Sequence, residues 1–298
     1  MMKTKPTYSI IIPHYNTPDL LERLLLSIPK RDDVEVIIVD DCSPDSVFQQ
    51  YEILKTKYEW MKFYCTETNG GGGKARNIGL QKAIGEYVIF ADADDYFTPQ
   101  FKDILKNYAD KTTPDIIFFN AISVDSVTQL PKDRSNHLNN FIQGFKTNPS
   151  QKGMELRYLF GEPWCKIIKK DLIENNKILF DEISINNDTY FSYMCGFYSK
   201  NIAVDERIGY CITERPSSVS KSISYDKLLI KAKVFAKKNK FLKENGITIF
   251  DPNLFVPPIY GIRKRNFKFL RQIKSIINSY GFSFLSLLSQ YLKYRLHR

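Results

Sequence analysis

Tyr87-Val88-Ile89-Phe90-Ala91-Asp92-Ala93-Asp94-Asp95 is the stretch on which the reading of this chain turns. An apolar run passes straight into three carboxylates, and Tyr96-Phe97-Thr98-Pro99 follows. A buried parallel strand has this pattern, its carboxyl end delivering acids to a crevice. Strand alternation predicts Asp92 and Asp94 on one side and Asp95 on the other. Paired carboxylates at a strand end suit a hard divalent cation, which can in turn hold a diphosphate. A polar turn leading to a helix at Pro99 accounts for the same residues more plainly, because Asp is a common turn former.

Upstream, strand and helix patterns alternate. Residues 8–12 are a β-branched run ending at Pro13, followed by His14-Tyr15-Asn16-Thr17-Pro18. Thr17 is a candidate N-cap, and Pro18 suits the first helical position, where its missing N–H costs nothing. Leu20, Leu21, Leu24, Leu25 and Ile28 recur at helical spacing until Pro29. A second strand over 34–39 closes on Asp40-Asp41-Cys42-Ser43-Pro44-Asp45; a helix over 48–57 and a strand over 61–65 come next. Asn69-Gly70-Gly71-Gly72-Gly73-Lys74-Ala75-Arg76-Asn77 then leads into a helix lasting to about Ile84. This alternation predicts an α/β domain with a mainly parallel sheet flanked by helices. Ligands of such sheets sit outside the carboxyl ends of the strands, where Tyr15, Asp41 and Asp94 all fall.

Downstream, a helix over 99–108 and a strand over 115–120 precede a polar stretch, 124–150, that reads as a surface excursion. A helix over 154–160 leads to Gly161-Glu162-Pro163-Trp164-Cys165-Lys166. Residues 188–198 read as a helix with Phe191, Met194, Cys195 and Tyr198 on one face, and two short strands bracket Asp205-Glu206-Arg207. The Ser-rich stretch 217–224 is expected to be a mobile loop. Beyond Tyr225 come helices rich in Lys and aromatics over 228–242, 262–280 and 282–296, with a link broken by Pro252 and Pro257-Pro258.

With 298 residues, 43% hydrophobic and 26% charged, the chain has the makeup of a soluble globular protein with a large core. No secretory leader is expected, since Ser9-Ile10-Ile11-Ile12 is short and meets Pro13, and no apolar run reaches a spanning length. The five scattered cysteines fit neither a zinc spacing nor a disulfide framework, which predicts a reducing, cytoplasmic setting. His14, His137 and His297 form no ligand pair. The net charge of +10 is uneven: residues 225–298 hold 16 Lys or Arg against Asp226, Glu244 and Asp251, a surplus of 13, so the remainder sums to −3. An anionic membrane surface or a lipid-diphosphate acceptor suits this tail better than nucleic acid, for which no recognised module is present; a merely solvated basic face is the plainer alternative.

The glycine run is not a P-loop, which would need Gly at 68 and Ser or Thr at 75, where this chain has Thr68 and Ala75. A dinucleotide fingerprint fails as well, because Pro13-His14-Tyr15-Asn16 stands where Gly should follow the first strand. There remains a flexible turn whose N–H groups, with Lys74 and Arg76, suit phosphates at a helix start, or else a plain glycine loop.

Taken in order, Ser-Ile-Ile-Ile-Pro-His-Tyr-Asn (9–16), Val-Ile-Ile-Val-Asp-Asp-Cys-Ser (36–43), Asn69-x-Gly71-x-x-x-Ala75-Arg76-Asn77 and Phe-Ala-Asp-Ala-Asp-Asp (90–95) resemble family 2 glycosyltransferases of the GT-A fold. The likeness covers residues 8–97 and continues weakly to about 212. It implies a Rossmann-like GT-A domain over 1–220, with a nucleotide-sugar half at about 1–120 and an acceptor half at about 121–220, then a basic helical C-terminal extension over 221–298. It further implies inverting, metal-dependent transfer from a nucleotide-sugar, a UDP-sugar, to a hydroxyl of a saccharide or lipid-linked saccharide. Such an enzyme would serve bacterial surface-polysaccharide synthesis, in the cytoplasm or peripherally at the inner face of the plasma membrane.

By the same resemblance Tyr15 lies against the nucleotide base and Asp41 accepts a hydrogen bond from a uracil-type ring. Pro13, Asn16, Gly71 and Arg76 join them around the nucleotide-sugar and its diphosphate. Asp94, with Asp92, is the implied Mn²⁺ or Mg²⁺ ligand, while Asp92 or Asp95 holds ribose or sugar. Asp188, in Asn187-Asp188-Thr189-Tyr190-Phe191, matches the base that takes the acceptor's proton; from the residues alone a helix N-cap is the alternative. Trp164 and Lys166 fall in the segment that lies near the acceptor in such enzymes, with a core Trp as the alternative. Two positions depart from the family pattern: Cys42 stands where Gly is usual and Asn187 where Glu is usual. The rival readings are a catalytically inactive sugar-nucleotide-binding or scaffold member, hinted at by Asn187, and a nucleotidyltransferase, which would need a glycine-rich loop after the first strand.

Overall fold

The computed structural model describes residues 5–109, 114–215 and 224–296, in two compact units. The first comprises Met1–Ile183 and Asn187–Pro216, the second Ser184–Asn186 and Ser217–Arg298.

In the first unit β1 (Tyr8–His14), β2 (Val34–Asp40), β3 (Lys62–Cys65), β4 (Tyr87–Phe90), β5 (Tyr96–Phe97), β6 (Ile116–Asp125), β7 (Lys166–Lys169) and β8 (Ile202–Glu214) form one sheet, in the order β3-β2-β1-β4-β7-β6-β8-β5. Strands β3, β2, β1 and β4 run parallel, as do β6 and β8, while β7 is antiparallel to both its neighbours and β5 to β8. Ile10, Ile11, Ile12, Val36, Ile37, Ile38 and Val39 are wholly buried, so both faces of β1 and β2 are covered and their apolar runs need no alternation. The accompanying helices are α1 (Pro18–Ser27), α2 (Asp45–Lys57), α3 (Gly71–Lys82), α4 (Phe101–Tyr108), α5 (Asn136–Phe145), α6 (Pro149–Tyr158), α7 (Lys170–Asn175) and α8 (Asn187–Tyr198). After the Ala91 N–H donates to the Ile11 carbonyl (3.1 Å), the chain beyond β4 turns away from β1. Pro13 therefore lacks a donor where none is required. The sheet opens between β1 and β4, where the strand order reverses, and a crevice there is the usual ligand position of such folds.

Several expectations need correction. Residues 124–150 are not a surface excursion: they hold the end of β6, the whole of α5 and the start of α6, with Leu138, Phe141 and Ile142 of α5 buried. No break separates two strands at Asp205-Glu206-Arg207. β8 is continuous and takes a bulge there, Phe119 pairing with Asp205 but Asn120 with Ile208, while Arg207 binds back to the Asp205 carboxylate (Nε to Oδ1, 2.8 Å). The glycine run is not a loop either, since α3 begins at Gly71. Gly73 sits where a Cβ would lie 2.3 Å from the Asp181 carbonyl oxygen, which explains a glycine within this helix. Of the Ser-rich loop expected at 217–224, residues 217–223 lie outside the described residues, and Ser224 caps the next helix.

The second unit contains α9 (Tyr225–Glu244), a 3-10 turn (Pro252–Phe255), α10 (Val256–Arg263), α11 (Phe267–Ser279) and α12 (Phe284–Leu296). Pro257 and Pro258 start α10 rather than break a link, as prolines in a first helical turn can. Leu228, Phe235, Leu254, Phe255, Phe269, Ile273 and Ile277 are among the core residues, each large side chain contributing about 1.5–3 kcal/mol by burial. Inside the unit Lys238 Nζ meets Asp251 Oδ2 at 2.6 Å, and Asn239 exchanges hydrogen bonds with the Asp251 backbone. No helix among the described residues is long and apolar enough to cross a membrane.

Candidate active site

The loops at the carboxyl ends of β1 and β2 are braced by buried polar groups. His14 and Asp40 are register partners, and their side chains meet at 2.6 Å. The Thr17 N–H donates to His14 Nε2 (3.2 Å), so Nδ1 carries the ring proton and donates to Asp40. Thr17 caps α1 through no side-chain bond, contrary to its expected role. Ser43 donates its hydroxyl (2.6 Å) and N–H (2.8 Å) to Asp40 and accepts the Asn16 N–H (2.8 Å). Burial works against the Asp40 charge, yet the hydrogen bonds from His14 and Ser43 hold its carboxyl below the usual range. On this frame Asn16 (φ 55°) and Cys42 (φ 61°) take left-handed conformations, and Tyr15 is left 47% exposed at the crevice.

Asp41 points the other way, into the start of α3. Its carboxylate accepts the N–H groups of Gly70 (2.9 Å) and Gly71 (2.6 Å) and the Thr66 hydroxyl (3.2 Å). Gly71 reaches this position with φ of 82°, a conformation that costs glycine little. One turn on, Arg76 leaves α3 buried, donating to Asp92 Oδ1 (2.6 Å) and Asn187 Oδ1 (3.2 Å), with Phe180 stacked 5.5 Å from its guanidinium. The neutral Asn187 accepts this bond from Arg76 without adding a second charge.

Asp92, Asp94 and Asp95 do not alternate across a strand. β4 ends at Phe90, and a turn closed by the Asp95 N–H on the Asp92 carbonyl (3.0 Å) gathers them, each offering an oxygen within 4.8 Å of the others. The Asp92 N–H donates to the Tyr210 hydroxyl (2.9 Å), and Asp95, buried, accepts the Thr213 N–H (2.7 Å). Burial, then the charges of Asp94 and Asp92, push the Asp95 carboxyl well above its usual range. Asp94 is partly exposed and pairs with Arg215 Nη2 at 2.6 Å, while Arg23 and the Thr213 hydroxyl donate to its carbonyl. Arg23, Arg76 and Arg215 each keep a buried Nε without a hydrogen-bond partner. Three hard oxygen donors so close together fit Mn²⁺ or Mg²⁺, and the arginines around them fit a diphosphate.

Asp188 opens α8 beside this cluster. Burial pushes it up to about 6, the charge of Arg76 opposing and those of Glu162 and Asp92 adding to the rise. It makes no ion pair among the described residues and, at neutral pH, is an ionised base of raised proton affinity. Trp164 is buried against Phe160 (5.2 Å) and Tyr210 (6.0 Å). Lys166, also buried, donates to the carbonyls of Phe160 (3.0 Å) and Glu162 (2.6 Å) and to the Ser192 hydroxyl (3.1 Å). Both side chains hold the segment that carries Glu162 instead of facing solvent. Sequence reasoning missed His14, Asp40, Ser43, Arg23 and Arg215: Ser43 meets Asp40 locally, while His14, Arg23 and Arg215 enter through strand register or distant chain segments.

The chain is similar to known proteins. The sequence profile described as glycosyl transferase family 2 matches residues 9–176. The chain is 30% identical over 216 residues to the poly(ribitol-phosphate) beta-N-acetylglucosaminyltransferase TarS of Staphylococcus aureus, covering 70% of this chain and 36% of that protein. It is 29% identical to a poly(ribitol-phosphate) beta-glucosyltransferase of Bacillus spizizenii, covering 73% of this chain and 34% of the other. The chain thus spans about a third of the length of these two relatives. The crystal structure of S. aureus TarS 1-349 in complex with UDP-GlcNAc superposes with a TM-score of 0.67 at 25% identity, over 92% of this chain and 80% of that one. That likeness shows the GT-A fold, a mainly parallel sheet flanked by helices, which the sequence motifs led us to expect.

Proposed function

The chain belongs to glycosyl transferase family 2, and from that premise we propose that it moves a sugar from a UDP-sugar to a hydroxyl of a saccharide or lipid-linked saccharide, with inversion, in surface-polymer synthesis. The observation that carries this reading is the convergence of Asp92, Asp94 and Asp95 with Arg76, Arg215 and the raised carboxyl of Asp188. Tyr15 would offer its exposed ring to the base, with Pro13, Asn16 and Asp41 bounding the same pocket. Asp94 and Asp92 would hold Mn²⁺ or Mg²⁺, which supplies charge neutralisation to the departing diphosphate. Arg76 and Arg215 would leave their carboxylates for the diphosphate oxygens as that charge develops. Asp188 would take the proton of the attacking hydroxyl, and Asp95 would stay in the wall as a hydrogen-bond partner near ribose or sugar.

The names of the relatives make UDP-GlcNAc and UDP-glucose the first donors to try, with polyol-phosphate polymers as acceptors. Such donors are cytoplasmic, consistent with the free thiols of Cys42 and Cys65 on the surface. The test is release of UDP from UDP-GlcNAc, UDP-glucose and UDP-galactose, and of GDP from GDP-mannose, with Mn²⁺ or EDTA, for the wild type and Asp94→Asn. Turnover of one UDP-sugar, abolished by EDTA and by Asp94→Asn, is expected. Turnover indifferent to both would sink the metal assignment, and binding of no nucleotide-sugar would sink the whole reading.

A further inference from the structure

We infer that the corner joining α10 and α11 is a docking surface for an anionic lipid bilayer, with Phe267 as the side chain that enters the interface. The apolar residues of this corner fall into two sets. Phe269, Ile273 and Ile277 lie along one line of α11 and are buried in the core of the second unit. Phe267 lies off that line and is 79% exposed, and Ile262, near the end of α10, is 43% exposed. On an α-helix residues 267, 271 and 274 share a face, so Phe267 stands in line with Arg271 and Lys274, with Lys268 beside it. Arg263, Lys264 and Arg265 precede it, and all six cations are exposed.

Residues 252–298 contain nine Lys or Arg and no Asp or Glu. The corner is also well defined. Asn266 caps α11 by accepting the Phe269 N–H at 3.0 Å, after Arg265 takes a left-handed φ of 50°. Phe267 is the first residue of that capped helix, so its direction is set by the helix and not by a loose tail. An exposed benzyl group flanked along the chain by exposed cations suits a surface that is anionic above and apolar beneath. Anionic headgroups meet the cations, and the acyl boundary takes Phe267 and Ile262. A sugar-phosphate polyanion would use the cations alone and leave Phe267 idle. The inference does not depend on the reaction proposed for the first unit.

Flotation of the full chain tests it, on vesicles of phosphatidylcholine alone and of phosphatidylcholine with phosphatidylglycerol in equal parts, at low and high salt. Recovery should require phosphatidylglycerol and fall as salt rises. Binding should drop several-fold in Phe267→Ser, and by about fivefold for each cation removed in Lys268→Gln with Arg271→Gln. These side chains are exposed, so unchanged circular dichroism and UDP release will confirm that the variants fold. Equal recovery on both vesicles, or on neither, overturns the inference. So does full retention of binding by Phe267→Ser when the cation variant loses it; capture of soluble polyphosphate would then assign the surface to a polyanion.

Discussion

Asp188→Asn separates what this carboxylate costs the fold from what it gives the reaction. Its proton affinity rises from 3.8 to about 6 on folding, so between those pH values the folded chain keeps a proton that the unfolded chain has released. Stability therefore falls as pH rises through the interval, by about 1.4 kcal/mol per pH unit. Below it both states hold the proton, and above it neither does. The full loss, about 3 kcal/mol, is thus present at any pH above about 6. An amide never ionises, so Asp188→Asn should exceed the wild type in stability by up to about 3 kcal/mol at neutral to alkaline pH, or roughly 5–10 °C in melting temperature. At acid pH, below the interval, the two should melt alike. Turnover should move the other way, by about 10²–10⁴-fold, the usual contribution of a general base. Wild-type turnover should itself decline as pH falls through about 6, where the base becomes protonated. Thermal melts across this pH range, with UDP release on the same samples, measure both quantities. An Asn variant that keeps full turnover, or whose stability advantage does not depend on pH, refutes the reasoning.

Arg215→Gln frees the Asp94 carboxylate, so Mn²⁺ alone should bind about two- to fivefold more tightly in a paramagnetic titration, while the KM for donor rises. Weaker Mn²⁺ binding would show that Arg215 organises the cluster instead of competing for it. Gly73→Ala drives a methyl into the Asp181 carbonyl oxygen, 2.3 Å away, and should cost about 1–3 kcal/mol of stability and raise the donor KM as Phe180 shifts from Arg76. An unchanged melting temperature would mean the backbone there yields freely.

The strands that carry the site were legible because burial on both faces writes an unbroken apolar run in β1, β2 and β4, with Pro13, Asp40 and Asp92 at or just beyond the ends of those runs. Carboxylate identity was legible at Asp92, Asp94 and Asp95, but their convergence was not. It depends on the chain leaving the sheet at Phe90, which a period-two pattern does not announce. α5 was hidden by its own composition: Asn136, Asn139 and Asn140 read as loop, and Leu138, Phe141 and Ile142 are a thin stripe. Asn139 earns its place through hydrogen bonds to the backbone of Ala121 at both its amide atoms. His14 looked idle among three scattered histidines, because only the β1–β2 register sets it against Asp40. Arg215 stands 121 positions from Asp94, and no local pattern links them.

The carboxylate of Asp41 on the first amides of α3 has a consequence for how this site can handle phosphate. In many nucleotide folds a glycine turn and the helix behind it form a fixed electropositive seat, always present whatever the solution holds. Here that seat is taken by the chain's own anion. On the proposed reading a diphosphate would instead be met by the guanidinium groups of Arg76 and Arg215, with a divalent ion held at Asp92 and Asp94. The field that would receive the donor thus comes from side chains of Arg76 and Arg215 and, on the proposed reading, in part from a divalent ion whose supply can vary. Withdrawing the ion would then weaken the hold on donor and product nucleotide alike, while the turn at the start of α3 keeps its own internal partner.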